Sequence, residues 1–336
     1  MNQIYFFFSL CTWPVSRYFL DQEARYAIDL AVACGRPLLV RGLPGTGKSD
    51  LARAAAEYLG RAFVYEVITA RTEPQDLLWR FDAIARLADA QVQHMGRNTV
   101  NPLNYVSPGP LWWALNWEEA EKFLKSNDKE ISQRRMALKP DTELTLAKGD
   151  KENQKDRASK KGVVLLLDEI DKADSELPNS LLEVLANTGF RLPWASTTEG
   201  VEIHIKSALK PLIIITTNED RELPPAFVRR CLVLAIQPSN DFVAWIKARA
   251  RVHFRDPDQP AIDDQPALTE HLITQAAEYL QRDRNSIGND GPKPSLAEYL
   301  DLLRGLYHLA PNDESKQLEW LEKVYRFAYQ KSATNS

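Results

Sequence analysis

The stretch Gly42–Ser49, GLPGTGKS, constrains the fold of this chain more than any other feature. It follows an apolar run, Pro37–Val40, and precedes a helix-forming run, Asp50–Leu59. A glycine-rich loop that joins a strand to a helix and ends in Gly-Lys-Ser is the pattern of a phosphate-binding loop. The alternative is a strand-to-helix turn that matches by chance, and the later acidic pair Asp168-Glu169 disfavours it. We therefore expect an α/β fold that binds a nucleoside triphosphate.

Each position of this loop has a predicted role at the phosphates. Glycines let the backbone wrap around the anion, and the first N–H groups of the following helix have no intrahelical partner and point at it. Lys48 is expected to neutralise β- and γ-phosphate charge, and the Ser49 hydroxyl to complete a Mg²⁺ shell. The predicted nucleotide contacts are Gly42, Leu43, Pro44, Gly45, Thr46, Gly47, Lys48 and Ser49.

Size and charge narrow the class of protein. The 336 residues suffice for one large α/β domain and a smaller one, and the net charge of −4 offers no basic footprint for nucleic acid. The three cysteines share no metal-binding spacing, which favours a reducing compartment. The apolar start, Ile4–Leu10, lacks a basic flank and a cleavage site, and no run of about 18 apolar residues occurs. We expect a cytoplasmic protein without a membrane span.

Sequence periodicity predicts an α/β domain over residues 16–237, after an N-terminal extension, 1–15. An opening helix is expected over 16–34, and parallel core strands over the ranges Ala62–Thr69, Gly162–Leu167, Pro211–Thr217 and Cys231–Ile236. Residues 126–162 are charged and predict a flexible, solvated insertion. Residues 238–336 show helical segments without a strand pattern and predict a small all-helical lid domain. We expect Trp112, Trp113 and Trp117 to pack a helix onto the sheet, with a partner surface as the alternative.

Polar residues follow two of the predicted core strands. Asp168 and Glu169 end one strand, and Asn218 ends the next. Ligands of open α/β sheets bind at the carboxyl ends of strands. Asp168 is therefore a candidate Mg²⁺ ligand opposite Ser49, and Glu169 a candidate general base for an attacking water. We expect Asn218 to hydrogen-bond that water or the γ-phosphate.

Two adjacent arginines, Arg229 and Arg230, follow a short helix entered through prolines. A planar, permanently charged guanidinium suits the charge of a transferring phosphoryl group. An exposed arginine pair on a helix is the simpler interpretation, and subunit geometry decides between the two.

With these motifs the chain resembles the AAA+ ATPases, and among them the MoxR-like branch. The resemblance rests on GLPGTGKS at Gly42–Ser49, LLLDEIDKAD at Leu165–Asp174, and IITTNEDRELPPAFVRRC at Ile214–Cys231. It implies a Mg²⁺-dependent ATPase in which Asp168 and Glu169 form Walker B and Asn218 is sensor 1. It further implies a ring, usually a hexamer, with an arginine finger at Arg229 or Arg230, preferably Arg230. A von Willebrand factor A protein is the implied type of partner, remodelled or activated by hydrolysis.

The chain departs from this family pattern at the position of the usual sensor 2 arginine, where Lys293 stands. Lysine is a point charge without the arginine fork, so coupling of the lid to nucleotide is expected to be weaker. The alternative function is a nucleotide-dependent switch with little turnover that gates assembly of an effector or a conflict-system complex. A GTP-driven nucleic-acid enzyme has less support, because no N-K-x-D motif and no basic stripe are present.

Overall fold

The computed structural model describes most of the chain. The described residues are 3–6, 17–93, 101–125, 131, 139–140, 143–145, 151–186, 189–193, 202–204, 209–238, 240–258, 265–287 and 293–329.

A five-stranded parallel sheet forms the centre of the molecule. Its strands are β3 (Leu38–Arg41), β4 (Ala62–Val67), β9 (Val163–Asp168), β12 (Leu212–Thr217) and β13 (Leu232–Ala235). They lie in the order β13-β3-β12-β9-β4. The apolar residues of β9 and β12 are buried, as expected for central strands that are covered on both faces. This order places the carboxyl ends of β9 and β12 beside the loop that follows β3.

Alternate side chains of the sheet pack into two separate cores. On one face lie helices α1 (Gln22–Cys34) and α2 (Lys48–Leu59). Against the other face pack helices α3 (Pro74–Leu78), α5 (Pro110–Leu115), α6 (Trp117–Leu124), α8 (Glu176–Ala186) and α9 (Pro225–Val228). The tryptophans predicted to pack onto the sheet do so: Trp112, Trp113 and Trp117 are 0%, 1% and 5% exposed. The predicted α/β class with helices on both faces is confirmed.

Short antiparallel strand pairs lie outside the central sheet. Within the described ranges they are β1 (Gln3–Phe6) with β2 (Arg17–Leu20), β5 (Trp79–Phe81) with β6 (Val106–Pro108), β7 (Glu143–Thr145) with β8 (Lys151–Asn153), and β10 (Gly189–Arg191) with β11 (Glu202–His204). Helix α4 (Ala83–Gln93) precedes a short 3-10 helix (Pro102–Tyr105), and a second 3-10 turn spans Ile170–Lys172.

The predicted opening helix over 16–34 was wrong in its first turn. Residues 17–20 form strand β2, and the helix begins only after Asp21, whose side chain accepts a hydrogen bond from the backbone N–H of Ala24. Asp21 is a helix N-cap, and the aromatic pair Tyr18–Phe19 before it favours an extended backbone.

The expectation of a flexible, solvated insertion over 126–162 was wrong where the structure describes the segment, because residues 143–145 and 151–153 pair as strands β7 and β8 and a helix follows them. Most of the residues from 126 to 150 lie outside the described residues. Residues 154–161 form helix α7 (Gln154–Lys161), with Gln154 only 1% exposed. Gln154 Oε1 accepts a hydrogen bond from the backbone N–H of Phe63 at 2.7 Å, which satisfies a donor on the outer edge of β4. Arg157 pairs with Glu57 at 3.0 Å. This mostly polar helix is held by a hydrogen bond and an ion pair, and by Ala158, which is 5% exposed and packs into the apolar core beneath the helix.

The C-terminal helices share an apolar core of their own. They are α10 (Phe242–His253), α11 (Glu270–Ser286), α12 (Leu296–Leu309) and α13 (Glu314–Tyr329). Tyr299 and Tyr329 are fully buried in it, and each donates its hydroxyl to a carbonyl of α11. These helices agree with the predicted all-helical segment, and the exact domain boundaries stay predictions. None of the helices in the described ranges combines the length and apolarity needed to cross a bilayer.

Candidate nucleotide site

The glycine-rich loop makes close contact with the C-terminal helices. Gly45 has φ +72°, and a Cβ there would lie 2.1 Å from Ser295 Oγ. The Gly45 carbonyl also accepts a hydrogen bond from Ala297 N at 3.1 Å. Glycine is required at this position, because a side chain would strain the backbone and collide with the residue that precedes α12. The loop and the first turn of α12 therefore form one wall.

Lys48 is 6% exposed and hydrogen-bonds at three points. Its Nζ donates to the carbonyls of Gly42 and Leu43 at 2.7 and 2.9 Å, and to Asn218 Oδ1 at 2.7 Å. Burial lowers the pKa of Lys48, and the nearby carboxylates, Asp168 first, act in the opposite direction. The charge of Lys48 therefore lies next to the end of β12.

Ser49 and Asp168 meet across the same opening. Ser49 Oγ lies 3.0 and 2.8 Å from the two carboxylate oxygens of Asp168. Hydroxyl and carboxylate oxygens are the ligands that Mg²⁺ prefers, and Mg²⁺ keeps further waters and phosphate oxygens. The described residues contain no cluster of three or more side chains that would hold a metal alone. The donor set thus fits a Mg²⁺ ion shared with a phosphate chain.

Glu169 adopts a left-handed backbone conformation, with φ 62°. Its N–H donates to Thr216 Oγ1 at 2.9 Å, and Thr216 Oγ1 donates to Asp168 Oδ1. The Glu169 carboxylate accepts a hydrogen bond from Asn218 Nδ2 at 3.3 Å and forms an ion pair with Lys172. Thr216 therefore fixes both acidic residues from the neighbouring strand, and sequence reasoning missed it.

Asp171 holds the loop that carries Asn218. The residue is 2% exposed, and its Oδ2 accepts from the backbone N–H groups of Asn218 and Asp220 at 3.2 and 3.0 Å. Sequence reasoning had no signal for this contact, because a carboxylate in the turn after a strand is usually solvated.

These residues line a cavity of about 400 Å³. The structure brings together Pro44, Gly45, Gly47, Lys48, Ser49, Asp168, Glu169 and Asn218 of the predicted set. The remaining wall comes from β2, from Asp50 of α2, from His253 at the end of α10, and from α12, including Arg304. Arg304 is a cation that sequence reasoning missed, because it lies in the middle of α12 and outside any motif.

Three predicted cations lie elsewhere. Lys293 is not among the described residues that line the cavity, and neither are Arg229 and Arg230. Arg229 and Arg230 are exposed, while their carbonyls accept hydrogen bonds from Arg36. The guanidinium of Arg36 therefore fixes the backbone that presents the two arginines.

In this parallel sheet the glycine-rich loop follows β3, and acidic and amide side chains stand at the ends of β9 and β12. This arrangement defines a P-loop nucleotide-binding domain. Residues 37–231 match the family model described as "AAA domain (dynein-related subfamily)". The chain belongs to this family of AAA+ ATPases.

Two solved structures align with most of this chain at low similarity. A putative ATPase from Cytophaga hutchinsonii is 15% identical with a TM-score of 0.34, and the alignment covers 90% of this chain and 62% of that one. A RuvB point mutant from Thermotoga maritima is 14% identical with a TM-score of 0.44, and the alignment covers 90% of this chain and 68% of that one. The chain thus spans under two thirds of the length of the first. No curated protein matches.

Proposed function

We propose that this chain is a Mg²⁺-dependent ATPase of the MoxR-like branch, which hydrolyses ATP at the subunit interfaces of a homo-oligomeric ring, expected to be a hexamer, to remodel or activate a partner protein. The observation that carries the proposal is the convergence of Lys48, Ser49 and Asp168 with Glu169 and Asn218 in one cavity. Each has the chemistry that phosphoryl transfer to water requires.

Binding is assigned to the loop Gly42–Ser49, with Lys48 as its cation. The N–H groups at the start of α2 point out of the helix, which favours an anion, and Lys48 adds a positive charge at the β- and γ-phosphates. Ser49 and Asp168 would hold Mg²⁺, which neutralises charge on the phosphate oxygens when bound.

Glu169 is assigned as the base that takes a proton from the attacking water. Asn218 contacts both Lys48 and Glu169, so it can hold that water between the base and the phosphate. Thr216 and Asp171 act as positioning residues for these two side chains.

Arg229 and Arg230 are assigned to the site of a neighbouring subunit, with Arg230 as the preferred finger. Both are exposed, and neither is among the described residues that line the cavity of their own chain, which supports this assignment. Removing Arg230 should lower turnover and spare ATP affinity, because the residue acts in a different subunit's reaction.

The proposed partner is a von Willebrand factor A protein, and the proposed location is the cytoplasm. Lys293 keeps its proposed role as the lid cation at the sensor 2 position, and the placement of Arg304 in the cavity makes that residue the stronger candidate for contact with nucleotide.

ATP hydrolysis tests the proposal directly. Purified protein is assayed for phosphate release with ATP and Mg²⁺, together with the variants Lys48→Ala and Glu169→Gln. We expect Lys48→Ala to bind no ATP and Glu169→Gln to bind ATP without cleaving it. Turnover by Glu169→Gln equal to wild type would remove Glu169 as the base.

One contact favours the second candidate, a nucleotide-dependent switch with little turnover. One oxygen of the Glu169 carboxylate is paired with Lys172, so this cation competes with an attacking water for that oxygen. The variant Lys172→Ala separates the two functions. A large gain in turnover on this change favours a restrained switch, and unchanged turnover favours the ATPase.

A further inference from the structure

The cavity has two chemically different ends. Lys48 and Ser49 reach Asn218 and Asp168 at the ends of β12 and β9, so the terminal phosphate belongs on that side. The remaining wall is built from Arg17 and Tyr18 of β2, Asp50 of α2, His253 of α10 and part of α12. A nucleotide whose phosphates lie on the loop must extend its nucleoside toward this second wall.

The second wall has the surfaces that a flat aromatic base needs. The ring of Tyr18 lies 3.1 Å from where a Cβ of Gly47 would stand, so it packs directly over the loop. Leu296 and Leu300 line the cavity from α12, and each is 8% exposed. Aromatic and aliphatic side chains bind the faces of a nucleobase through stacking and dispersion contacts.

His253 adds a polar ring beside these apolar side chains, in a wall that also carries Arg17, Asp301 and Arg304. Within the described residues its imidazole makes no hydrogen bond, and its one ring contact is with Phe254. Burial, followed by the charges of Arg304 and Arg17, lowers the pKa of His253 to about 4. The imidazole is therefore neutral at pH 7 and offers one donor and one acceptor nitrogen.

We propose that Tyr18 and His253 form the base-binding end of the cavity, with the His253 imidazole hydrogen-bonded to the edge of the nucleobase. The inference rests on the position of the His253 ring. The ring is half-buried, it lines the cavity that holds the phosphate loop, and it makes no hydrogen bond within the described part of the chain. It rests on the proposed nucleotide-binding function and adds a residue that recognises the base.

The test compares a ligand that has a base with one that has none. Affinities for ATP and for inorganic tripolyphosphate, both with Mg²⁺, are measured by calorimetry and by competition on wild type and His253→Ala. We expect His253→Ala to weaken ATP binding about tenfold and to leave tripolyphosphate within about twofold, the scale of one lost hydrogen bond. The control is His308→Ala, an exposed histidine of α12 outside the cavity lining.

Other outcomes of this experiment would contradict either the role of His253 or the nucleotide-binding function on which it rests. An unchanged ATP affinity, or equal losses for ATP and tripolyphosphate, contradicts the role of His253. If wild type binds neither ligand, the proposed nucleotide function itself fails. If His253→Ala does not fold, His253→Gln and His253→Leu take its place. Glutamine retains a hydrogen-bond donor and an acceptor on a smaller side chain, and leucine retains neither. The inference then requires that His253→Gln binds ATP more tightly than His253→Leu.

Discussion

Lys48 Nζ donates a hydrogen bond to Asn218 Oδ1 at 2.7 Å, although 170 positions separate the two residues in the chain. The same amide donates from Nδ2 to Glu169 Oε1 at 3.3 Å. Asn218 therefore connects the residue assigned to the phosphates with the residue assigned to water. Such a bridge holds the two charges in a fixed relation, which a reaction between phosphate and water requires.

From this bridge we predict that Asn218→Ala lowers the rate of ATP hydrolysis about 100-fold, the typical effect of removing one positioned hydrogen-bonding group at a reacting centre. ATP affinity should change little, because Lys48 keeps its two carbonyl partners. Steady-state kinetics and equilibrium binding separate the two effects. Asn104→Ala, away from the cavity, is the control, and a loss confined to ATP affinity would contradict the predicted role.

Two glycines should respond to alanine in opposite directions. Gly45→Ala adds a Cβ 2.1 Å from Ser295 Oγ at φ +72°, so we expect a loss of roughly 1–3 kcal/mol in unfolding free energy together with weaker ATP binding. At Gly305 in α12, a Cβ would meet no neighbouring side chain of the described residues within 4 Å, and Gly305→Ala should stabilise by about 0.5–1 kcal/mol. Urea unfolding of both variants tests the pair. Equal changes in unfolding free energy would contradict the strain and the close approach of Ser295 that are assigned to Gly45.

Arg304 and Lys293 provide a matched pair of lid cations. Arg304 lines the cavity, and Lys293 is not among the described residues that line it. We therefore expect Arg304→Ala to weaken ATP binding about tenfold, which is the scale of a lost charged hydrogen bond. Lys293→Ala should change ATP binding less than about threefold. Arg304 also pairs with Asp301 at 3.0 Å, so Asp301→Ala serves as the control for loss of that pair. The small effect expected for Lys293→Ala fits a lid lysine that is coupled only weakly to nucleotide. A larger loss of ATP affinity in Lys293→Ala than in Arg304→Ala would contradict the ranking of Arg304 as the stronger nucleotide contact.

His253 makes stability depend on pH. Its pKa is about 4 in the folded protein against an ordinary value of 6.5, so the unfolded chain takes up the proton first as pH falls. Stability is retained above about pH 6.5 and is lost as pH falls toward 4, by roughly 2 kcal/mol at pH 5. Urea unfolding at pH 7 and pH 5 should show a smaller loss for His253→Gln than for wild type. Equal losses in the two proteins would contradict this account of His253.

Much of the fold was predictable because its signals are local. Buried parallel strands such as Val163–Asp168 are continuous apolar runs, and the strand–loop–helix around Lys48 has a fixed spacing. Polar residues that end adjacent strands meet at one edge of the sheet, so the sequence alone places Asp168 and Asn218 together.

Other features depend on long-range contacts, which no local pattern encodes. Gln154 is buried because its amide satisfies the outer edge of β4, 91 positions away. Thr216 could be found only from the register of β12 against β9, where it follows the pair Ile215 and Leu167. Arg304 enters the cavity through the packing of α12 on the loop, whereas motif position alone indicated Lys293.

The mass of Glu169→Gln in solution, measured by light scattering with and without ATP and Mg²⁺, tests the central claim most directly. This variant should hold ATP without cleaving it, so a ring that needs ATP at its interfaces should accumulate. We predict a nucleotide-driven shift to a mass near six subunits, and the same shift should fail in Lys48→Ala. A monomer under all conditions, with a wild type that is also monomeric and still hydrolyses ATP, would contradict action at subunit interfaces.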